Sequence, residues 1–284
     1  MPLIQNSYGK GRVRVMRVQR DGDRNEVREL SVQAILEGDF AAAYTDGDNR
    51  TVIATDTIKN ITYIVARENL AAGAELFGQA LATRFLARYP QVERVRVTTH
   101  EIRWARASFG GTAHPHSFVL DGNGCPTAEV VATRDRATVV SGIAGYTFMK
   151  STGSGWVDYV MDEYTTLAPT QDRIAATAMD ATWTWLQAPA DYEGANARVL
   201  GTMLEVFATT YSRGVQDSLF RMGEAALAAV PEVATIRMAC PNKHYIPVRL
   251  EPFGLASDNM VFMPTDEPHG QIECVVGRRP IDTI

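Results

Sequence analysis

An order of hydrophobic periods that runs twice along the chain constrains its fold more than any other feature. From Arg12 to Val18 the residues R-V-R-V-M-R-V alternate, then slip phase at Met16, which predicts a half-buried strand with a bulge. The Asp21-Gly22-Asp23 turn signal and a second alternating run from Glu26 to Leu36 make a hairpin. Thr55 or Asp56 then offers a helix-capping oxygen, followed by Ile58, Ile61 and Ile64 or Val65 at helical spacing. A second helix carries Leu76, Phe77, Leu81, Phe85 and Tyr89 on one face until Pro90 stops it. Two further strands, Val92 to Trp104 and Phe118 to Thr133, flank a Gly110-Gly111 loop.

The second half repeats this order without repeating the residues. Strands from Val139 to Ser151 and Arg173 to Leu186 lead into two helices. One passes through Val199, Met203, Val206, Phe207 and Thr210, and the other through Leu219, Met222, Ala226 and Val230. Strands from Val233 to Leu250 and Ile272 to Arg278 close it. Strand pairs enclosing helix pairs imply α+β architecture, an antiparallel sheet with helices on one face. The expected boundary lies near Arg136, dividing the chain into units 1–136 and 137–284.

A length of 284 residues fits two such units. The net charge of -5 leaves no general basic footprint, so nucleic acid is not the expected partner. Cys125, Cys240 and Cys274 are odd in number and widely spaced, which predicts reduced thiols and neither a disulfide framework nor a CxxC site. The N-terminus reads as no signal peptide, no apolar run suggests a membrane span, and the terminal IDTI is not a Ser-Lys-Leu address. Together these predict a cytoplasmic protein.

Chemistry is harder to read. The even positions from Ile236 to Leu250 are apolar except Asn242 and His244, which would share a strand face roughly 7 Å apart. They suit either one small ligand or a satisfied buried pair, or Pro241 forces a local loop there. His114 and His116 lack a third donor for zinc. Glycine-rich phosphate loops are missing. Alone, Lys10 reads as a solvated lysine, Thr55-Asp56 as a helix cap, Arg173 as a surface arginine and Gln216 as a helix-start glutamine.

Taken together, several segments resemble the urate oxidase (uricase) family of the tunnelling fold. They are YGK at Tyr8 to Lys10, ATDTIKN at Ala54 to Asn60, HPHSF at His114 to Phe118, and KSTGSGW, DEYTTL and DR between Lys150 and Arg173. YSRGVQ at Tyr211 to Gln216, PNKHY at Pro241 to Tyr245 and IECVVGR at Ile272 to Arg278 complete the series. The resemblance implies two tandem tunnelling-fold units, each an antiparallel four-stranded sheet with two helices on one face. It implies further that they assemble into a tunnel-shaped homotetramer with active sites between subunits. The implied reaction is oxidation of urate by dioxygen to 5-hydroxyisourate and hydrogen peroxide, without cofactor or metal. A purine-binding protein without turnover and a metal-dependent cyclohydrolase-type relative are the competing expectations.

By the same resemblance, Arg173 and Gln216 clamp the urate ring, with the Val215 backbone adding a donor, Ile272 apolar contact and the Asp56 backbone amide meeting the purine. Arginine suits this because its rigid fork of donors and its charge match an anionic ring edge. Lys10, Thr55 and His244 fall on the proton-handling group, the lysine accepting a proton from the threonine hydroxyl. Thr55 and Asn242 fall on the dioxygen or peroxide site. Trp156 departs from the family's usual Phe, the residue that stacks on the purine; an indole keeps that π-face and enlarges it.

Overall fold

A computed structural model describes residues 1–278 of the chain. The terminal residues on which the address reading falls lie outside the described residues. The chain folds as two compact units, Met1–Gly142 and a second beginning at Ile143, so the division falls inside one strand.

In the first unit, β1 (Tyr8–Asp21) and β2 (Arg24–Gly38) form the expected hairpin, closed at Gly22, whose φ of 56° suits a residue without Cβ. A short α1 (Ala41–Thr45), then α2 (Thr55–Asn69) and α3 (Ala74–Arg88), precede β3 (Val92–Phe109), β4 (Thr112–Asp121) and β5 (Cys125–Ala132). The strands lie in the order β1-β2-β3-β5, all antiparallel, and β4 pairs with the far end of β3. Ile58, Val65, Phe77, Leu81 and Phe85 bury the helices against Leu30, Leu36, Val95 and Val97 of the sheet. Gly78 lets α3 come close: a methyl there would lie 2.8 Å from Val130 Cγ2.

The second unit has β6 (Ala137–Lys150), which crosses the division, then β7 (Ala175–Trp185), α4 (Tyr192–Thr209), α5 (Val215–Ala229), β8 (Val233–Pro247) and β9 (Phe262–Gly277). β7, β8 and β9 pair antiparallel in that order. Val199, Met203, Leu219, Met222 and Ala226 pack on Met179, Trp183, Ile236 and Met238. Gly223 repeats the role of Gly78, since a methyl on it would sit 2.7 Å from Val276 Cγ2.

Several expectations are corrected. β1 pairs continuously through Met16, and its irregularity falls between Lys10 and Val13, where Arg12 takes φ 53°. The cap of α2 is Ala54, with no side-chain cap bond; Thr55 is already helical. Leu76 is 42% exposed, and Val65 rather than Ile64 faces the core, because the inward arc of each helix is narrower than the apolar run suggests. The run from Phe118 to Thr133 divides at 122–124, with Gly124 at φ 76°, into β4 and β5. Arg173 precedes β7 instead of lying on it, and β8 stops at Pro247 with Ile246 exposed.

Candidate active site

The segment Lys150–Arg173 leaves β6 and is sewn to the residues between α4 and α5 by backbone hydrogen bonds. Gly155 N donates to Ser212 O at 2.9 Å, and Ser212 N donates to Gly153 O at 2.9 Å. Trp156 and Thr170 exchange bonds of 2.7 and 3.0 Å, and Arg173 N donates to Ser154 O at 2.8 Å. Asp172 accepts from Thr152 Oγ1 at 2.8 Å and from Gly153 N at 3.0 Å. This lattice holds Trp156 and Arg173, 17 positions apart in sequence, on one small frame.

Within that frame the Arg173 guanidinium carbon lies 5.7 Å from the Trp156 ring centroid. Burial pushes the arginine below its ordinary pKa, with the Tyr211 phenol acting in the opposite sense. Among the described residues no carboxylate pairs with this half-buried cation. A methyl on Gly214 would come within 2.7 Å of Trp156 Cζ3 and 3.4 Å of Gln216 Oε1, so a glycine is what lets indole and amide share the spot. Val215 and Gln216 open α5, where backbone amides have no intrahelical acceptor and favour an anion or a carbonyl edge. Gly214 carried no warning in the sequence beyond being a glycine before a helix. Its role depends on a ring about sixty positions away.

Behind this frame a cavity of about 30 Å³ is lined by Val215, Ser154, Thr177, Cys240 and Asn242, among others. Asn242 thus stands at the same place as the start of α5. Ile272 pairs with Cys240 across the sheet, and a methyl at Gly270 would be 3.5 Å from Ile272 Cδ1 and 3.8 Å from Asn242 Cβ. β8 runs straight through Pro241 in register with β9, so no local loop forms there. Between Asn242 and His244 the pairing with β9 instead jumps from Gly270 to Thr265. The excursion on β9 is held by Lys243 Nζ to Asp266 Oδ1 at 3.1 Å. β7 still pairs through Asn242 and Lys243, so the two polar residues remain two apart on one strand. Both are half-buried.

Lys10, Thr55 and Asp56 belong to the first unit. Lys10 is half-buried on β1 at the irregularity, and Thr55 is the exposed first residue of α2. The Asp56 carboxylate does not cap the helix. It accepts from Lys59 Nζ at 2.5 Å and Asn60 Nδ2 at 3.0 Å, which leaves its backbone amide as the group available at the helix start. Its pKa is lowered chiefly by Lys59, with a smaller contribution from the Lys10 charge. Trp156, Arg173, Val215, Gln216, Asn242, His244 and Ile272 all lie in the second unit. Among the described residues, no three or more His, Cys, Asp or Glu side chains gather where they could hold a metal ion.

Antiparallel sheet backed by a helix pair in each unit, with an indole beside a half-buried guanidinium and a helix start, defines an α+β protein able to hold a flat, electron-rich, anionic ring. The profile of the family described as Uricase matches residues 6–131 and 139–273. The uricase of Arthrobacter globiformis is 38% identical over 276 residues, covering 97% of this chain and 90% of that protein. The uricase of Aspergillus flavus is 36% identical, with 95% of each chain aligned. The crystal structure of the Arthrobacter globiformis uricase superposes with a TM-score of 0.93 at 37% identity, covering 100% of this chain and 97% of that one. The chain belongs to the uricase family.

Proposed function

We propose that the protein oxidises urate with dioxygen to 5-hydroxyisourate and hydrogen peroxide. The observation that carries this reading is the meeting of Trp156, Arg173 and Gln216 around Gly214. An indole face stacks a purine, the guanidinium fork neutralises its anionic edge, and the Gln216 amide with the Val215 N–H reads the opposite edge. Asp56 contributes its backbone amide and Ile272 an apolar wall.

Lys10, Thr55 and His244 handle protons. Thr55 relays a proton to Lys10, and His244 accepts or returns one beside them. Urate that has lost a further proton is electron-rich enough to pass an electron to dioxygen, held between Asn242 and the Thr55 hydroxyl. Ordinary side chains suffice for these roles, so the reading calls for no cofactor or metal.

The proposed assembly is a homotetramer of tandem tunnelling-fold units, 1–136 and 137–284, with Lys10, Thr55 and Asp56 of one subunit completing the second-unit site of another. Val160 at 86% exposure and Tyr164 at 84% support it, because such large apolar surfaces in an isolated chain favour coverage. Among the described residues no helix is long and apolar enough to cross a membrane, and the proposed setting is the cytoplasm. Urate is added under air, and loss of its ultraviolet absorbance is followed together with peroxide. Binding of urate with neither signal defeats the proposal in favour of a binding protein without turnover. Activity lost on exhaustive chelation and restored by zinc defeats it in favour of metal chemistry.

A further inference from the structure

Trp156 does not stand alone. The ring of Tyr159 lies with its centroid 5.6 Å from that of Trp156 and its plane only 14° away, an offset stack against the indole. Tyr159 belongs to a loop whose other large side chains, Val160, Met161, Tyr164 and Leu167, are exposed. Tyr159 turns back and is half-buried. Its hydroxyl donates to Leu167 O at 2.5 Å, anchoring the ring to the outer part of the loop. A turn at Asp162–Thr165, closed by Thr165 N to Asp162 O at 3.1 Å and Asp162 N to Thr165 Oγ1 at 3.0 Å, stiffens the loop between those two points.

We infer that Tyr159 is a positioning residue that backs Trp156, leaving the indole a single face for the purine and fixing the plane in which that purine must lie. This rests on the proposed function, in which Trp156 stacks on the ligand. The physical need comes from the side chain itself. An indole hinges about two torsions and is only half-buried here, and the Trp156–Thr170 bonds fix its backbone without fixing the ring. Gly214 limits the ring at Cζ3 and Cε3, where a methyl would fall 2.7 and 3.1 Å away, so one edge is defined. A second constraint, on a face, is what Tyr159 supplies. Arg173 lies at the far end of the same segment and Gln216 on α5, and in the proposed function both meet the ligand at its edges, so the stack and the clamp act on different parts of the same ring.

Tyr159→Ala and Tyr159→Phe in the full-length chain test the inference. KM and kcat for urate are read alongside quenching of tryptophan fluorescence by xanthine, a planar purine with the same six-membered dione ring. Removing a stacked partner is expected to raise KM and the xanthine Kd by about five- to tenfold while kcat changes by less than about threefold. Tyr159→Phe keeps the ring and is expected to stay within about twofold of the parent on both. An unchanged or lowered KM in Tyr159→Ala overturns the inference, the latter showing that Tyr159 occupies the face the purine needs. Equal damage in Tyr159→Phe also overturns it, in favour of the hydroxyl anchor alone. If Tyr159→Ala does not fold, Tyr159→Leu carries the same comparison, since it keeps apolar bulk without a π-face. A parent that binds xanthine but consumes no urate sinks the proposed function, while the fluorescence arm still reads the role of Tyr159.

Discussion

Arg173 holds its guanidinium carbon 5.7 Å from the Trp156 ring centroid, on a frame of backbone bonds that includes Arg173 N to Ser154 O at 2.8 Å. The contact joins a charge to a stacking surface. Backbone bonds hold both residues, so the relative placement of guanidinium and indole is preset.

Arg173→Ala is expected to weaken urate binding more than it slows the bound substrate. A charge-assisted hydrogen bond contributes about 1.5–3 kcal/mol, so KM should rise about 10- to 100-fold. Arg173→Lys should recover only part of this, because an ammonium cannot present two parallel donors. Steady-state kinetics decide it, and an unchanged KM in the alanine variant discredits the clamp.

Lys10→Met removes a proton acceptor and leaves Trp156, Arg173 and Gln216 intact. General-base contributions run to about 10²–10⁴ in rate, and kcat is expected to fall on that scale while the Kd for xanthine stays within about threefold. Equal losses in both would mean Lys10 holds the ligand instead of its proton.

Gly214→Ala should drive a methyl into Trp156, at 2.7 Å from Cζ3 and 3.1 Å from Cε3. Both atoms belong to the fused benzo ring, which carries the indole beyond the reach of phenylalanine's single ring. In the parent the substitution is expected to cost about 1–3 kcal/mol of stability and raise KM. With Trp156→Phe in the background most of that cost should disappear, a coupling read from denaturant midpoints in a double-mutant cycle. Additive effects would show that Gly214 serves something other than the indole.

Burial raises the Cys240 thiol from 9.0 to about 12, with the neighbouring Thr177 hydroxyl acting in the opposite sense. The folded state therefore keeps this proton after the unfolded chain has lost it. Its contribution to stability is complete below about pH 9 and is lost as pH rises from there toward 12, since the unfolded state then gains from ionising. Cys240 is expected to resist alkylation at pH 8 until the chain is unfolded, and Cys240→Ala to flatten the loss of stability above pH 9. Mass spectrometry of pulse-labelled protein and urea midpoints across pH check both; rapid native labelling of Cys240 refutes the burial argument.

The element order, the hairpin at Gly22 and most of the buried positions of α3, α4 and α5 were legible in the sequence because hydrophobic period is a local property, set within a few residues by helical or strand geometry. The resemblance to family motifs added the proposed roles of Lys10, Thr55 and Arg173, which by their own surroundings in sequence read as a solvated lysine, a helix cap and a surface arginine. Local pattern misplaced the bulge of β1 and the cap of α2, since a bulge is decided by the strand opposite and a cap by the backbone angles at the helix start. It also missed Gly78, Gly223 and Gly214, whose smallness matters only against Val130, Val276 and Trp156.

What only the tertiary structure decided is which distant residues meet. Trp156, Arg173, Gly214 and Gln216 come together because backbone groups left unpaired by a long loop must find partners, and they find them on the segment between α4 and α5. The stack of Tyr159 on Trp156 follows from the same closure, since only a loop whose far end is bonded back at Thr170 returns its fourth residue to lie against the first. The sequence by itself determined what each segment would become; long-range hydrogen bonding and packing decided which side chains would face one another.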